Sequence, residues 1–185
     1  MSALLRLEAV TLDRGGRRLF EHLDLTVAPG EAVAVTGPNG SGKSSLLRLA
    51  AGLLAQTAGE IERSALALAD DRHALDRERP LADALSFWCG RDPLPALDKL
   101  GIGHLAAVPV RYLSSGQAKR ASLARVAAAS GAALWLLDEP TNALDVDGIE
   151  RLTALIAEHR ASGGAVLAAT HVPLSGDWRR LELRR

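Results

Sequence analysis

The chain has 185 residues, enough for one domain with a substantial core, and its 22 basic and 22 acidic residues cancel to a formal net charge of zero. No basic field is present to hold a nucleic-acid backbone, so nucleic-acid partners are not expected. No apolar run approaches the roughly 18 residues of a membrane span and the first residues lack a signal-peptide core; a soluble, cytoplasmic protein is expected, with any membrane role supplied by a partner.

Leu5, Leu7 and Ala9 alternate with polar neighbours, and Val10 and Leu12 continue a strand that turns at Arg14, Gly15, Gly16 and Arg17. Leu23, Leu25 and Val27 alternate with Asp24 and Thr26 in a second strand that ends at Pro29 and Gly30. The apolar run from Ala32 to Thr36 reads as a buried strand. Directly after it stand Gly37, Pro38, Asn39, Gly40, Ser41, Gly42, Lys43 and Ser44, the pattern G-x-x-x-x-G-K-S. Leu46, Leu47, Leu49 and Ala50 then fall at helical spacing until Gly52.

Strand, glycine-rich turn and helix start together make an anion site. Backbone N–H groups of the loop and of the first helical turn, which includes Ser45, lack helical partners and point at one spot with roughly +0.5 charge of helix dipole. In this pattern Lys43 reaches the β- and γ-phosphates of a nucleoside triphosphate, and the Ser44 hydroxyl binds Mg²⁺. The spacing therefore predicts a triphosphate site.

Residues 59–62 and 64–69 read as two further strands, after which proline and charge interrupt short helical pieces at 81–88 and 96–100. With only 3% aromatic residues in the chain, Phe87 and Trp88 are expected in the core rather than on a partner surface. The lone cysteine, Cys89, excludes an internal disulfide and is expected as a small buried apolar side chain. Leu113, Ser114, Ser115, Gly116 and Gln117 open a helix that runs to about Ser130, with Ser114 or Ser115 as its cap and Lys119, Arg120 and Arg125 marking a polar face.

Residues 134–137 form an unbroken apolar strand with Asp138 and Glu139 at its carboxyl end. Ligands of open α/β sheets bind outside the carboxyl ends of strands, so both carboxylates are expected to face the nucleotide. Ile149, Leu152, Leu155 and Ile156 mark one face of a following helix that ends at Gly163 and Gly164. The strand from Ala165 to Ala169 is again buried and carries Thr170 and His171 at its carboxyl end; residues 177–185 read as a terminal strand or helix.

In this order these segments resemble the nucleotide-binding subunit of ABC transporters over nearly the whole chain. The carriers are the phosphate loop, the signature at 113–117, the strand ending in Asp138 and Glu139, the loop Ala143, Leu144 and Asp145, and His171. The resemblance implies a single cassette over 1–185: an α/β P-loop NTPase with a mainly parallel core sheet, N-terminal antiparallel strands and a small inserted helical lobe at about 71–130. It implies ATP and Mg²⁺ as cofactors, with Asp138 orienting the metal, Glu139 as the general base and His171 contacting the γ-phosphate. Two copies would sandwich two ATPs, with Ser115, Gly116 and Gln117 of one copy meeting the phosphate held by the other, and Asp145 at the seam. Integral-membrane permease subunits would be the partners, which places the cassette on the cytoplasmic face of the inner membrane.

The run 138–148 and the segment 170–174 are similar to the cytochrome c biogenesis family of ATP-binding cassettes. That likeness implies work on haem delivery or export, with a haem chaperone as an indirect partner. Neither His104 nor His159 has a ligand-spaced partner that shows haem in the sequence itself. A cassette for another transported substrate, a soluble ABC ATPase and a low-turnover binding module are the alternatives.

Two departures from the family pattern stand out. No glutamine ends the strand before the helical lobe, where the chain has Asp70, Asp71, Arg72 and His73; one of these polar groups, His73 foremost, is expected to stand in. No aromatic residue occupies the adenine-stacking place, and Arg14 lies near it, able to stack its guanidinium on a base.

Overall fold

The computed structural model describes residues 3–70, 74–90, 92–171 and 174–183. Two long strands, β1 (Leu5–Arg14) and β2 (Arg17–Val27), form a hairpin through Gly15 and Gly16, and β4 (Ala58–Arg63) adds to the other edge of β1 in antiparallel order β2-β1-β4. The main sheet is entirely parallel, with order β5-β6-β7-β3-β8. It consists of β3 (Ala32–Thr36), β5 (Leu66–Ala69), β6 (Leu134–Asp138), β7 (Ala165–Ala169) and β8 (Arg179–Glu182).

The central strands read as continuous apolar runs because both of their faces are covered. Leu134 and Leu136 of β6 join Val33, Val35, Leu167 and Ala169 under α1 (Lys43–Ala50) and the antiparallel strands. Trp135 and Leu137 join Val166 and Ala168 on the other face, under α4 (Ser115–Ala128) and α5 (Val146–Ala161). Register places Val35 beside Ala169 and Ala169 beside Asp138, so β3, β7 and β6 stop at one level. That common edge positions the site.

Between β5 and β6 the chain is helical: α2 (Leu81–Cys89), α3 (Leu94–Lys99), single 3₁₀ turns at Gly103–Leu105 and Val110–Tyr112, then α4. Leu81, Ala84, Leu85 and Cys89 fill the inner face of α2, Cys89 as the expected buried thiol. Phe87 and Trp88 depart from expectation. With that inner stripe already filled, Phe87 points outward and is 77% exposed, and Trp88 at the rim is 47% exposed. Their rings meet edge to face at 5.5 Å, and the Arg125 guanidinium lies over the Trp88 ring at 5.1 Å.

The polar face expected on α4 is also corrected. Arg120 is buried and Arg125 donates to the carbonyl of Leu68 in β5. The helix is packed on several sides through Ala121, Leu123, Ala124, Val126 and Ala128, and such small side chains leave no room for a wholly solvated face. His159 on α5 stacks flat on Trp135, with ring centroids 3.8 Å apart, and its Nε2 lies 3.2 Å from the Ala133 carbonyl oxygen.

Candidate functional site

The phosphate loop joins β3 to α1, and Gly42 is the N-cap of α1 with φ +102°, a left-handed conformation that residues with a side chain rarely hold. A Cβ at Gly42 would also press on Leu19 at 3.3 Å. The loop curls around the Lys43 ammonium, which donates to the carbonyls of Gly37 at 2.9 Å and Pro38 at 3.2 Å. The Ser44 hydroxyl donates to Asp138 Oδ1 at 2.9 Å, tying the first turn of α1 to the end of β6. Lys119 from α4 donates to the backbone carbonyl of the same Asp138 at 3.0 Å.

Glu139 follows the last residue of β6 with φ +43°. A left-handed backbone costs a non-glycine residue about 1–3 kcal/mol, so the surroundings must hold it there. One restraint is the Glu139 N–H, which donates to the carbonyl of Ala169 in β7 at 2.8 Å. The turn directs the Glu139 carboxylate at His171 beyond β7, where Oε1 and Nε2 lie 3.2 Å apart. Glu139 is mostly shielded and His171 about half exposed. The pair thereby closes the carboxyl end of β6 against that of β7.

These groups line one open cavity of about 390 Å³: Asn39, Gly40, Gly42, Lys43, Ser44 and Ser45 on one side, Glu139 and His171 on another, and Arg14, Arg17 and Leu19 from the β1–β2 hairpin. Arg14 donates from Nη1 to the Ser45 hydroxyl at 3.2 Å, which fixes the hairpin turn against the loop. Arg17 and Leu19 escaped the sequence reading, since a guanidinium and a leucine beside a glycine turn carry no motif. Only the hairpin's return across the phosphate loop brings them in.

Ser115, Gly116 and Gln117 do not line this cavity. They start α4, where Ser114 is the cap: its hydroxyl accepts from the Gln117 N–H at 3.3 Å and the Gln117 Oε1 accepts from the Ser114 N–H at 2.9 Å. Ser115 at the first turn is exposed. Gly116 lies against the carbonyl of Ala143, 2.9 Å from where a Cβ would stand, so the close approach of two backbones requires glycine there.

The loop 143–145 is held by Arg120, which donates to Leu100 O at 3.0 Å, to Asp147 Oδ2 at 2.8 Å and to Asp145. Asp145 caps α5 by accepting the Gly148 N–H at 2.9 Å. That N–H bond, then Arg120, keeps the Asp145 carboxyl below its ordinary range, while Arg151, then Arg120, does the same for Asp147. Burial works against the Arg120 charge, but the hydrogen bonds it donates to Asp147 and Asp145 outweigh it and raise its pKa.

Asp71, Arg72 and His73, the stretch expected to replace the missing glutamine, lie outside the described residues. Asp70, at the end of β5, is described and pairs with Arg48 of α1 at 3.5 Å.

A family model described as ABC transporter matches residues 20–142, about two thirds of the chain. The chain belongs to the ABC transporter family. It is a nucleotide-binding, ATP-hydrolysing cassette.

Among curated relatives, the cassette is 50% identical over 182 residues to the cytochrome c biogenesis ATP-binding export protein CcmA of Sphingopyxis alaskensis, covering 95% of this chain and 93% of that one. It is 56% identical over 164 residues to the protein of the same name from Novosphingobium aromaticivorans, covering 88% and 85%. Among solved structures, a dimeric bacterial ABC transporter cassette superposes with a TM-score of 0.84 at 22% identity, over 98% of this chain and 97% of that one. An ABC transporter ATP-binding protein from Pyrococcus furiosus superposes at 0.83 with 21% identity, over 97% and 96%. These two likenesses show the fold.

Proposed function

We propose that the cassette spans 1–185 with its helical lobe at about 71–130, works as a homodimer on integral-membrane permease subunits, and energises haem handling or export in c-type cytochrome biogenesis. The supporting observation is the match at 50% identity over 93% of the length of a cytochrome c biogenesis ATP-binding export protein. In this reading the cassette sits peripherally on the cytoplasmic face of the inner membrane, and a haem chaperone is reached indirectly. Among the described residues no helix is long and apolar enough to cross a membrane. Leu53, Phe87 and Trp88 offer exposed apolar contacts to a partner.

The donor set fits Mg²⁺. The Ser44 hydroxyl and the Asp138 carboxylate are hard oxygen donors already 2.9 Å apart, and among the described residues no cluster of three His, Cys, Asp or Glu forms a ready-made cage. Mg²⁺ suits such a site because it takes one or two protein oxygens and completes its shell with phosphate and water. Ser44 and Asp138 would hold it, and when bound it neutralises charge on the β- and γ-phosphates. The Ser41 hydroxyl, buried in the loop without a hydrogen-bond partner among the described residues, fits a loop completed by ligand oxygens.

This chain's residues divide the remaining work. Lys43 exchanges its bonds to the Gly37 and Pro38 carbonyls for phosphate oxygens, Glu139 takes the proton of the attacking water, and His171 contacts the γ-phosphate. Arg14 offers its guanidinium plane to the base. The exposed start of α4, with Ser115, Gly116 and Gln117, lies outside the cavity in its own chain and meets the γ-phosphate bound by the second copy, as an N-terminus suits an anion. Asp145, 70% exposed, lies at the seam.

Affinity capture from membranes opened with mild detergent, followed by mass spectrometry, tests the assignment. Recovery of multi-span membrane proteins together with a haem chaperone is the expected result. An unrelated permease would move the cassette to another substrate, and recovery of soluble proteins alone would overturn the membrane role.

A further inference from the structure

The backbone leaves β6 through the peptide bond between Asp138 and Glu139 and then takes the left-handed turn of Glu139 at φ +43°. Three hydrogen bonds hold that turn. The Glu139 N–H donates to the Ala169 carbonyl at 2.8 Å, and the Glu139 carbonyl accepts from the Asn142 N–H at 3.2 Å. The third comes from a side chain, the Lys119 ammonium, which donates to the Asp138 carbonyl at 3.0 Å.

The Ala169 and Lys119 bonds act on the two ends of one planar unit. Ala169 takes its N–H and Lys119 takes its C=O, so the peptide cannot turn about the chain without breaking one of them. The φ angle of Glu139 starts from that plane, and the direction of its carboxylate follows. A residue with a side chain, released from such a hold, relaxes toward negative φ and carries its side chain elsewhere. Here the carboxylate is kept on the cavity wall, with Oε1 at 3.2 Å from His171 Nε2.

Lys119 suits this task by charge and by place. A charged donor binds a carbonyl more strongly than a neutral one, and Asp138 is only 2% exposed, so little water competes. Lys119 is half-buried, one turn into α4, and is not among the residues lining the cavity. Its influence on the reaction therefore runs through the peptide it holds.

We infer that Lys119 is a positioning residue for hydrolysis, its bond to the Asp138 carbonyl aiming the Glu139 carboxylate at the attacking water. The inference rests on Glu139 as the base and adds what aims it.

Steady-state phosphate release and ATP titration, both on the full chain with Mg²⁺, test it through Lys119→Met, Lys119→Arg and Glu139→Gln. Lys119→Met keeps an unbranched apolar stem and removes the donor. It is expected to lower kcat by about 10- to 100-fold, the scale of a misplaced catalytic group, with KM and ATP affinity within about twofold of the unaltered chain. Lys119→Arg, which can still donate to the carbonyl, is expected to restore most of kcat. A role confined to holding α4 in place would instead weaken ATP binding along with turnover. An unchanged kcat in Lys119→Met, a parallel loss of ATP affinity, or Lys119→Arg no better than Lys119→Met would overturn the inference while leaving the base in place. Unchanged turnover in Glu139→Gln would overturn the base itself and the inference with it.

Discussion

The carboxyl edge of the parallel sheet and the helical segment between β5 and β6 lie on one chain and obey different constraints. At the sheet edge, β3, β6 and β7 end level, so the residue just past each strand has one place to go; Lys43, Ser44, Glu139 and His171 meet around one cavity, and Asp138 is tied to it through the Ser44 hydroxyl. In the helical segment the elements are short, and small side chains let each helix pack on several neighbours while Phe87, Trp88 and Tyr112 remain outside. The first region is shaped by what it must do to a small anion. The second is shaped by which inward places its short helices leave, which composition within the chain does not specify.

The sharpest break of this comparison is Glu139→Gln. Removing the base from the sheet edge is expected to lower hydrolysis by about 10²–10⁴-fold while ATP still binds, read as phosphate release beside nucleotide titration. Unchanged turnover would remove Glu139 from the chemistry. Next comes Arg120→Ala, which takes away the buried guanidinium bridging Leu100, Asp145 and Asp147 and is expected to cost about 2–3 kcal/mol in urea unfolding. A loss under about 0.5 kcal/mol would show that the loop 143–145 is held by other contacts.

A smaller effect concerns pH. Burial beside Trp135 keeps His159 below its ordinary value of 6.5, so the folded chain takes up that proton at lower pH than the unfolded chain. Its contribution is full above pH 6.5 and is lost as the pH falls below it. Melting temperature is expected to drop on that side, and His159→Phe, which keeps a ring on Trp135, should flatten the slope. Asp145 and Asp147, held below 3.8, add their own loss only as the pH falls through about 4 and lower. The smallest effect on the isolated chain is expected for Phe87→Ser: stability within about 0.5 kcal/mol and unchanged ATP binding, because the ring is 77% exposed. The same variant should lose capture by membrane partners, and full capture would place the partner surface elsewhere.

The sheet edge was legible because its signals are short and local. A glycine-lysine turn after an apolar run, and an acidic pair closing another, each report a strand end without reference to anything distant. Arg17 and Leu19 were not legible, since their place depends on a hairpin folding back over the phosphate loop from the other sheet. Phe87 and Trp88 misled for a different reason: aromatic rings go inward by default, and only the filled stripe of Leu81, Ala84, Leu85 and Cys89 shows that no inward place remained. Arg120 read as a surface charge because its partners, Asp145 and Asp147, lie beyond an intervening strand in sequence.

The central claim is that one chain supplies half a site and the exposed start of α4 in a second copy supplies the rest. The most direct measurement is the solution mass of Glu139→Gln with and without ATP and Mg²⁺. The chain should weigh 19.5 kDa without nucleotide and double on adding it, with the doubled species lost in a Ser115→Arg background. A variant that binds ATP and stays at 19.5 kDa would contradict the shared site.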